Sequence, residues 1–233
     1  LILSGRKVMI VAESKPFSEI YELVKDFSKI CVIGCGDCVT VCHTGGQKQV
    51  EELALKLRIA AKKDGRNLEV KEDTVLRQCE QEYVAPIGNY INDYDAVVSI
   101  ACGVGVQTLA EKYTPSRVLP GLNTTCMAAP VEPGLFLERC AGCGDCVLDK
   151  TGGFCPVSRC SKSLLNGPCG GSMGGYCEVA DDVPCVWNQI YVQLDKQQMM
   201  NYMDDIRPPK NWSVSTGSSP RKLEIKHLQM EKE

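Results

Sequence analysis

No run of apolar residues in this chain approaches the ~20 needed to cross a bilayer as a helix. The longest, residues 96–106 (AVVSIACGVGV), is broken by Ser99 and by small residues, so a membrane span is excluded. An excess of one charge is missing too. The formal net charge is -3, and nothing in that balance points to nucleic acid. The start, LILSGRKVMIVAES, lacks the ordered basic, apolar and cleavage regions of a secretory signal, which predicts a cytoplasmic protein. Histidine is scarce: only His43 and His227 occur, and no constellation of nucleophile, general acid and base is legible. The third glycine of a dinucleotide fingerprint is absent as well, because in CGVGVQT Thr108 stands in its place.

Cysteine is what the chain has in quantity. Fifteen occur among 233 residues, most of them in two blocks, ICVIGCGDCVTVC (30–42) and RCAGCGDCVLDKTGGFCP (139–156). A reducing compartment keeps thiols free for metals. The count is odd, and pairs such as Cys35 and Cys38 close small rings that suit staples badly. Disulfides are therefore set aside, and zinc or iron-sulfur clusters remain. An apolar content of 44% is enough for one or two globular domains.

The first half alternates strand-like and helix-like segments, as an α/β layer fold does. Residues 8–12, 30–33, 68–70, 96–100 and 117–119 read as strands. Ile20, Leu23, Val24 and Phe27 share one helical face, and residues 47–63 read as a helix with Val50, Leu53, Ala54 and Leu57 in a stripe, ended by Gly65. At residues 131–134 (VEPG) periodicity gives way to glycines, cysteines and short turns, so metal ligation has to offset the cost of ordering that backbone. Residues 184–203 offer one more helix. The expected architecture is a small, mostly parallel Rossmann-like sheet domain (1–130) carrying one iron-sulfur site. After it come a cysteine-rich, metal-stabilised domain with little regular structure (131–206) and an extended or mobile tail (207–233).

In the first block, Cys31 falls inside a strand and reads as a small buried hydrophobe. Cys35 and Cys38 are expected in the loop at that strand's carboxyl end, with Cys42 at the next helix. In open α/β sheets ligands gather beyond the carboxyl ends of strands, where Cys79, Cys102 and Cys126 are also expected. A CxxC, a further cysteine and one remote thiol suit a 4Fe-4S cluster. The expected ligands are Cys35, Cys38, Cys42 and Cys102, with Cys79 as the alternative fourth. Read as CxxxCxxC, Cys31, Cys35 and Cys38 also match radical S-adenosylmethionine enzymes, but those resemble a larger barrel for which this chain has no room.

The second block matches the bacterial ferredoxin spacing of CxxCxxC followed by CP, which makes Cys140, Cys143, Cys146 and Cys155 the ligands of a second 4Fe-4S cluster. Structural zinc is the competing reading. For Cys160, Cys169, Cys177 and Cys185 the spacing is loose, and zinc, a further cluster and plain structural cysteines stand as open alternatives. Asp37 and Asp145, inside the two CGDC loops, read as loop-capping acceptors. His43 reads as an exposed helix residue, with a hydrogen bond to a cluster as the alternative.

CAGCGDCVLDKTGGFCPVSRCSKSLLNGPCGG, followed by GYCEV, CVW and IRPPKNWS, resembles the carboxyl-terminal domain found with methylenetetrahydrofolate reductases. The first half, with CVIGCGDCVTVCHTGG and CGVGVQTLAEKY, is similar to the small iron-sulfur (MetV-type) subunit of such reductases in acetogenic and related anaerobes. The resemblance implies a partner: the FMN-bearing catalytic barrel subunit that reduces methylenetetrahydrofolate to methyltetrahydrofolate in one-carbon metabolism and the Wood-Ljungdahl pathway. It also implies an electron-donating redox complex. No flavin or folate site is legible in this chain, so its implied share is electron transfer without activity of its own. A zinc-binding structural adaptor that docks the catalytic subunit to the donor is the alternative.

Overall fold

The computed structural model describes residues 10–113, 116–132, 134–215 and 217. They divide between Leu137 and Glu138 into two units. The first runs β1 (Val11–Ser14), α1 (Phe17–Val24), β2 (Lys29–Cys35), α2 (Cys38–Val41), α3 (Gln47–Lys63), β3 (Glu69–Val75), α4 (Gln81–Val84), β4 (Ala96–Ile100), α5 (Gly103–Lys112), β5 (Arg117–Pro120) and β6 (Leu122–Glu132). β7 (Leu135–Cys140) carries the chain across the division.

Four strands form a wholly parallel sheet in the order β3-β2-β4-β5. Its central strands are buried on both faces. Ile30 and Val32 enter one core with Val98 and Ile100, while Cys31 and Ile33 enter the other with Val97, which is the period of two of a strand covered on both sides. α3 lies against the first face through Val50, Ala54, Leu57 and Ala61, all 0% exposed. Burial contributes roughly 1.5–3 kcal/mol for a side chain the size of Leu57. The helix ends as its sequence predicts, with Lys62 and Lys63 in the last turn and Gly65 at φ +69, a left-handed position that glycine adopts without cost. Val84, Ile87, Ile91 and Leu109, from α4, two 3-10 turns and α5, cover the second face.

β3 and β4 flank β2 on opposite sides, so the connections leave in opposite directions and open a crevice at the carboxyl ends of β2 and β4. The expected strand at 30–33 continues to Cys35, which places that cysteine in the strand and not in the loop. The strand expected at 68–70 occupies Glu69–Val75. Its charged residues suit an edge strand, and apolar periodicity could not reveal them. The first strand is Val11–Ser14; Val8 and Met9 lie outside the described residues. α5 was hidden by its glycines, yet a Cβ at Gly105 would stand 2.8 Å from Gln78 Cβ, so a small residue is needed there.

A second sheet has the order β1-β6-β7, with β1 antiparallel to β6 and Val11 opposite Cys126. β6 and β7 were not foreseen, because both strands are mostly exposed and carry no alternating apolar pattern. The break expected at 131–134 falls on the link between them, where Gly134 has φ +82.

The second unit is built on α7 (Val186–Lys196), preceded by the short α6 (Pro156–Arg159). Val186, Trp187, Ile190 and Leu194 form its core with Phe154, Met199 and Tyr202. The helix expected over 184–203 stops at Lys196. Gln198, at φ +57, breaks it, and a 3-10 turn follows at Met200–Met203. Within residues 161–184 only Gly167 is buried. Much of the tail expected from 207, including His227, lies outside the described residues.

Candidate metal centres

Cys35 closes β2, Cys38 opens α2 and Cys42 caps the other end of that one-turn helix. Cys102 is the N-cap of α5, just beyond the Gly34–Ile100 pairing of β2 with β4. These thiols are electrostatic neighbours. Cys35 senses Cys102 and Cys38, Cys79 senses Cys102 and Cys35, and Cys42 senses Cys38 and Cys126. The crevice edge thus gathers all six, although Cys126 arrives from within β6 and not from a strand end of the parallel sheet.

Burial pushes the Cys35, Cys42 and Cys79 thiols up, and neighbouring thiols add to the shift. As neutral groups they donate to backbone: Cys35 Sγ to Leu76 O at 3.8 Å and Cys42 Sγ to Ile10 O at 3.7 Å. Among the described residues no three His, Cys, Asp or Glu side chains stand ready as a coordination shell. The donor set is nonetheless all thiol, the chemistry that soft metals and iron-sulfur clusters take. Loading would expel the thiol protons and replace those two hydrogen bonds.

One residue that shapes this edge has no sequence signal. Gln78, 0% exposed, donates through Nε2 to Ile33 O and Gly34 O, each at 2.9 Å, and accepts from Ser99 Oγ at 2.6 Å. It ties β2 to β4 beside Cys79. Asp37 makes no cap hydrogen bond on α2. It accepts from Arg77 Nε at 2.6 Å, while the same guanidinium reaches Glu80, so the expected loop cap is a bridge between the CGDC loop and the segment bearing Cys79. His43 is exposed, but in a turn with φ 57 and not in a helix.

In the second unit Cys140 ends β7, Cys143 and Cys146 lie in the glycine loop, and Cys155 is the N-cap of α6. Gly142 N donates to Cys140 Sγ at 3.4 Å. Arg159, over the Phe154 ring at 5.0 Å, senses both Arg139 and Cys155, so the end of β7 and the start of α6 lie near one guanidinium. Residues 207–215 strap this loop. The Lys210 side chain, 1% exposed, donates to Asp145 O and pairs with its carboxylate at 3.2 Å. Gly144 has φ +76, and a Cβ there would stand 2.1 Å from Val214 O. Arg207 donates to Lys150 O, and its backbone is clasped by Asn166. Asp145 therefore anchors the strap, where a cap of its own loop had been expected. Cys160, Cys169, Cys177 and Cys185 line a single pocket beside Trp187.

The described residues thus form a parallel sheet with cysteines gathered toward the carboxyl ends of its central strands, followed by a cysteine-rich unit with a small apolar core. Residues 119–213 match the family model described as "Methylene-tetrahydrofolate reductase C terminal", so that part of the chain is related to this reductase domain. No curated protein and no solved structure matches the chain. Among the described residues no helix is long and apolar enough to cross a membrane.

Proposed function

We propose that the chain is the iron-sulfur electron-transfer subunit of a methylenetetrahydrofolate reductase complex. It would pass electrons to the flavin of a separate catalytic subunit. The observation that carries this reading is the family match over residues 119–213, joined to a thiol-rich edge at the carboxyl ends of a parallel sheet. Cys35, Cys38, Cys42 and Cys102 would hold one 4Fe-4S cluster, with Cys79 in reach as the alternative ligand, and Cys140, Cys143, Cys146 and Cys155 the other. Such clusters supply one-electron transfer, and a flavin can collect two electrons before passing a hydride on. The chain's own residues would place and insulate the sulfurs: Gln78 by fixing the strand ends, Arg77 by holding the Asp37 loop, and Lys210 by closing the second CGDC loop.

Anaerobically purified chain is expected to be brown, with iron and sulfide near about eight of each. Mixed with the flavin subunit, it should be required for reduction by a low-potential donor and dispensable when the flavin is reduced directly. Colourless protein carrying zinc alone, or full electron transfer by a folded zinc-substituted chain, would make it a docking adaptor and sink the relay.

A further inference from the structure

We propose that Cys160, Cys169, Cys177 and Cys185 form a zinc tetrathiolate site, separate from both cluster sites. Four stretches of chain, at the end of α6, in the glycine turns and at the start of α7, deliver one thiol each to one pocket. Sequence spacing did not distinguish these residues from structural cysteines, but their convergence in space does.

Segment 161–184 has almost no buried apolar surface to stabilise it. It buries only Gly167, its strand-type pairing amounts to two isolated bridges, Met173 with Tyr176 and Tyr176 with Pro184, and its remaining ties are turn hydrogen bonds and a few side-chain contacts such as Asn166 with Arg207 and Lys162 with Glu178. Ordering a residue costs about 1–2 kcal/mol of backbone entropy, and the nearby apolar core draws its buried residues from α7 alone. A bound ion that ties this segment to α7 offsets that cost, as structural zinc does in other small domains, where binding contributes about 10–16 kcal/mol.

The pocket as it stands has room for a single ion. At about 20 Å³ it holds little more than one water-sized particle, the room that a lone metal ion takes. Zinc takes four thiolates tetrahedrally. The surroundings suit a site of net negative charge: Ser161 Oγ lies 3.7 Å from Cys177 Sγ, the backbone N–H groups of Val179 and Ala180 face that sulfur, and Lys162 stands close by, paired with Glu178. The sulfurs line the pocket without meeting at one point, so binding turns the four side chains inward to Zn–S distances of about 2.3 Å. Four thiol protons leave to solvent, and no electron moves.

The full chain, purified anaerobically with its native metals, should contain one zinc by mass spectrometry. Zinc-edge X-ray absorption should show four sulfur neighbours at about 2.3 Å. Cys169→Ser and Cys177→Ser should each lose that zinc and retain wild-type iron. Zinc-free wild-type protein, nitrogen or oxygen neighbours at the zinc, retention of zinc in both variants, or iron lost together with it would overturn the site. The absorption measurement needs no variant, so a folding failure does not shield the idea. The site does not depend on the electron-transfer reading: iron-free protein with a sulfur-bound zinc would end that reading and leave this one standing.

Discussion

Gln78 is an amide that forms three hydrogen bonds in a site with no water access, two as donor to strand carbonyls and one as acceptor from Ser99. In Gln78→Leu the volume is roughly kept but Ile33 O, Gly34 O and Ser99 Oγ lose their partner. Leaving such groups buried and unpaired costs about 1–3 kcal/mol. The expected result is a lower urea midpoint with an unchanged slope; an unchanged midpoint would mean that water replaces the amide. Cys31 makes a different statement. Burial, helped by Asp73, pushes its thiol up to about 12, whereas an unfolded cysteine titrates near ~8.5. Above ~8.5 the unfolded chain gives up a proton that the folded chain keeps. Stability therefore falls as pH rises through this window, by up to about 1.4 kcal/mol per pH unit. Cys31→Ala should remove that share, losing about 2–3 kcal/mol less than wild type between about pH 8.5 and 10.5 in denaturant titrations. Parallel curves for the two proteins would count against the burial.

At the scale of elements, the strap over the second CGDC loop is the part most open to a simple test. Lys210→Met leaves Asp145 O without its donor and the carboxylate without its cation. Asp145 is largely exposed (its side chain 55%), so the loss is that of a screened, charge-assisted contact, about 1–2 kcal/mol. Limited proteolysis should then cut within 141–150 faster than in wild type, and an unchanged cutting rate would show that the Gly144–Val214 contact suffices alone. α3 was legible to its terminal residues, because Val50, Leu53, Ala54 and Leu57 fall at helical spacing and Gly65 marks the stop. Cys35, Cys38 and Cys42 could be grouped from spacing, since one strand end and one helical turn carry them. What spacing could not reveal depends on distant chain. β6 and β7 are exposed strands held by pairing and not by an apolar face. Gly105 of α5 looks like a helix breaker until Gln78, packed against it, shows why a small residue stands there. Asp37 and Asp145 look like caps until Arg77 and Lys210, respectively 40 and 65 residues away, take them.

For the molecule as a whole, the division at Leu137 and Glu138 sets what a lesion in one unit does to the other. If the proposed cluster assignment holds, Cys143→Ser should remove iron from the second block and loosen residues 140–159, while far-UV dichroism of the parallel sheet and the iron of the first site persist. Cys102→Ser should lower iron at the first site, and Cys31→Ala should leave it. Equal iron loss in these last two would reassign the first set to Cys31, Cys35 and Cys38.

The strap also fixes an order of events during synthesis. Lys210 follows Asp145 by 65 residues, and at about 5–20 residues per second of translation that gap lasts about 3–13 seconds. Through this interval the newborn CGDC loop has its thiols and glycines but neither the lysine that holds Asp145 nor the Val214 carbonyl that roofs Gly144. The loop emerges without its strap and is closed by chain made afterwards. Closure of this loop thus waits on chain that is translated after it.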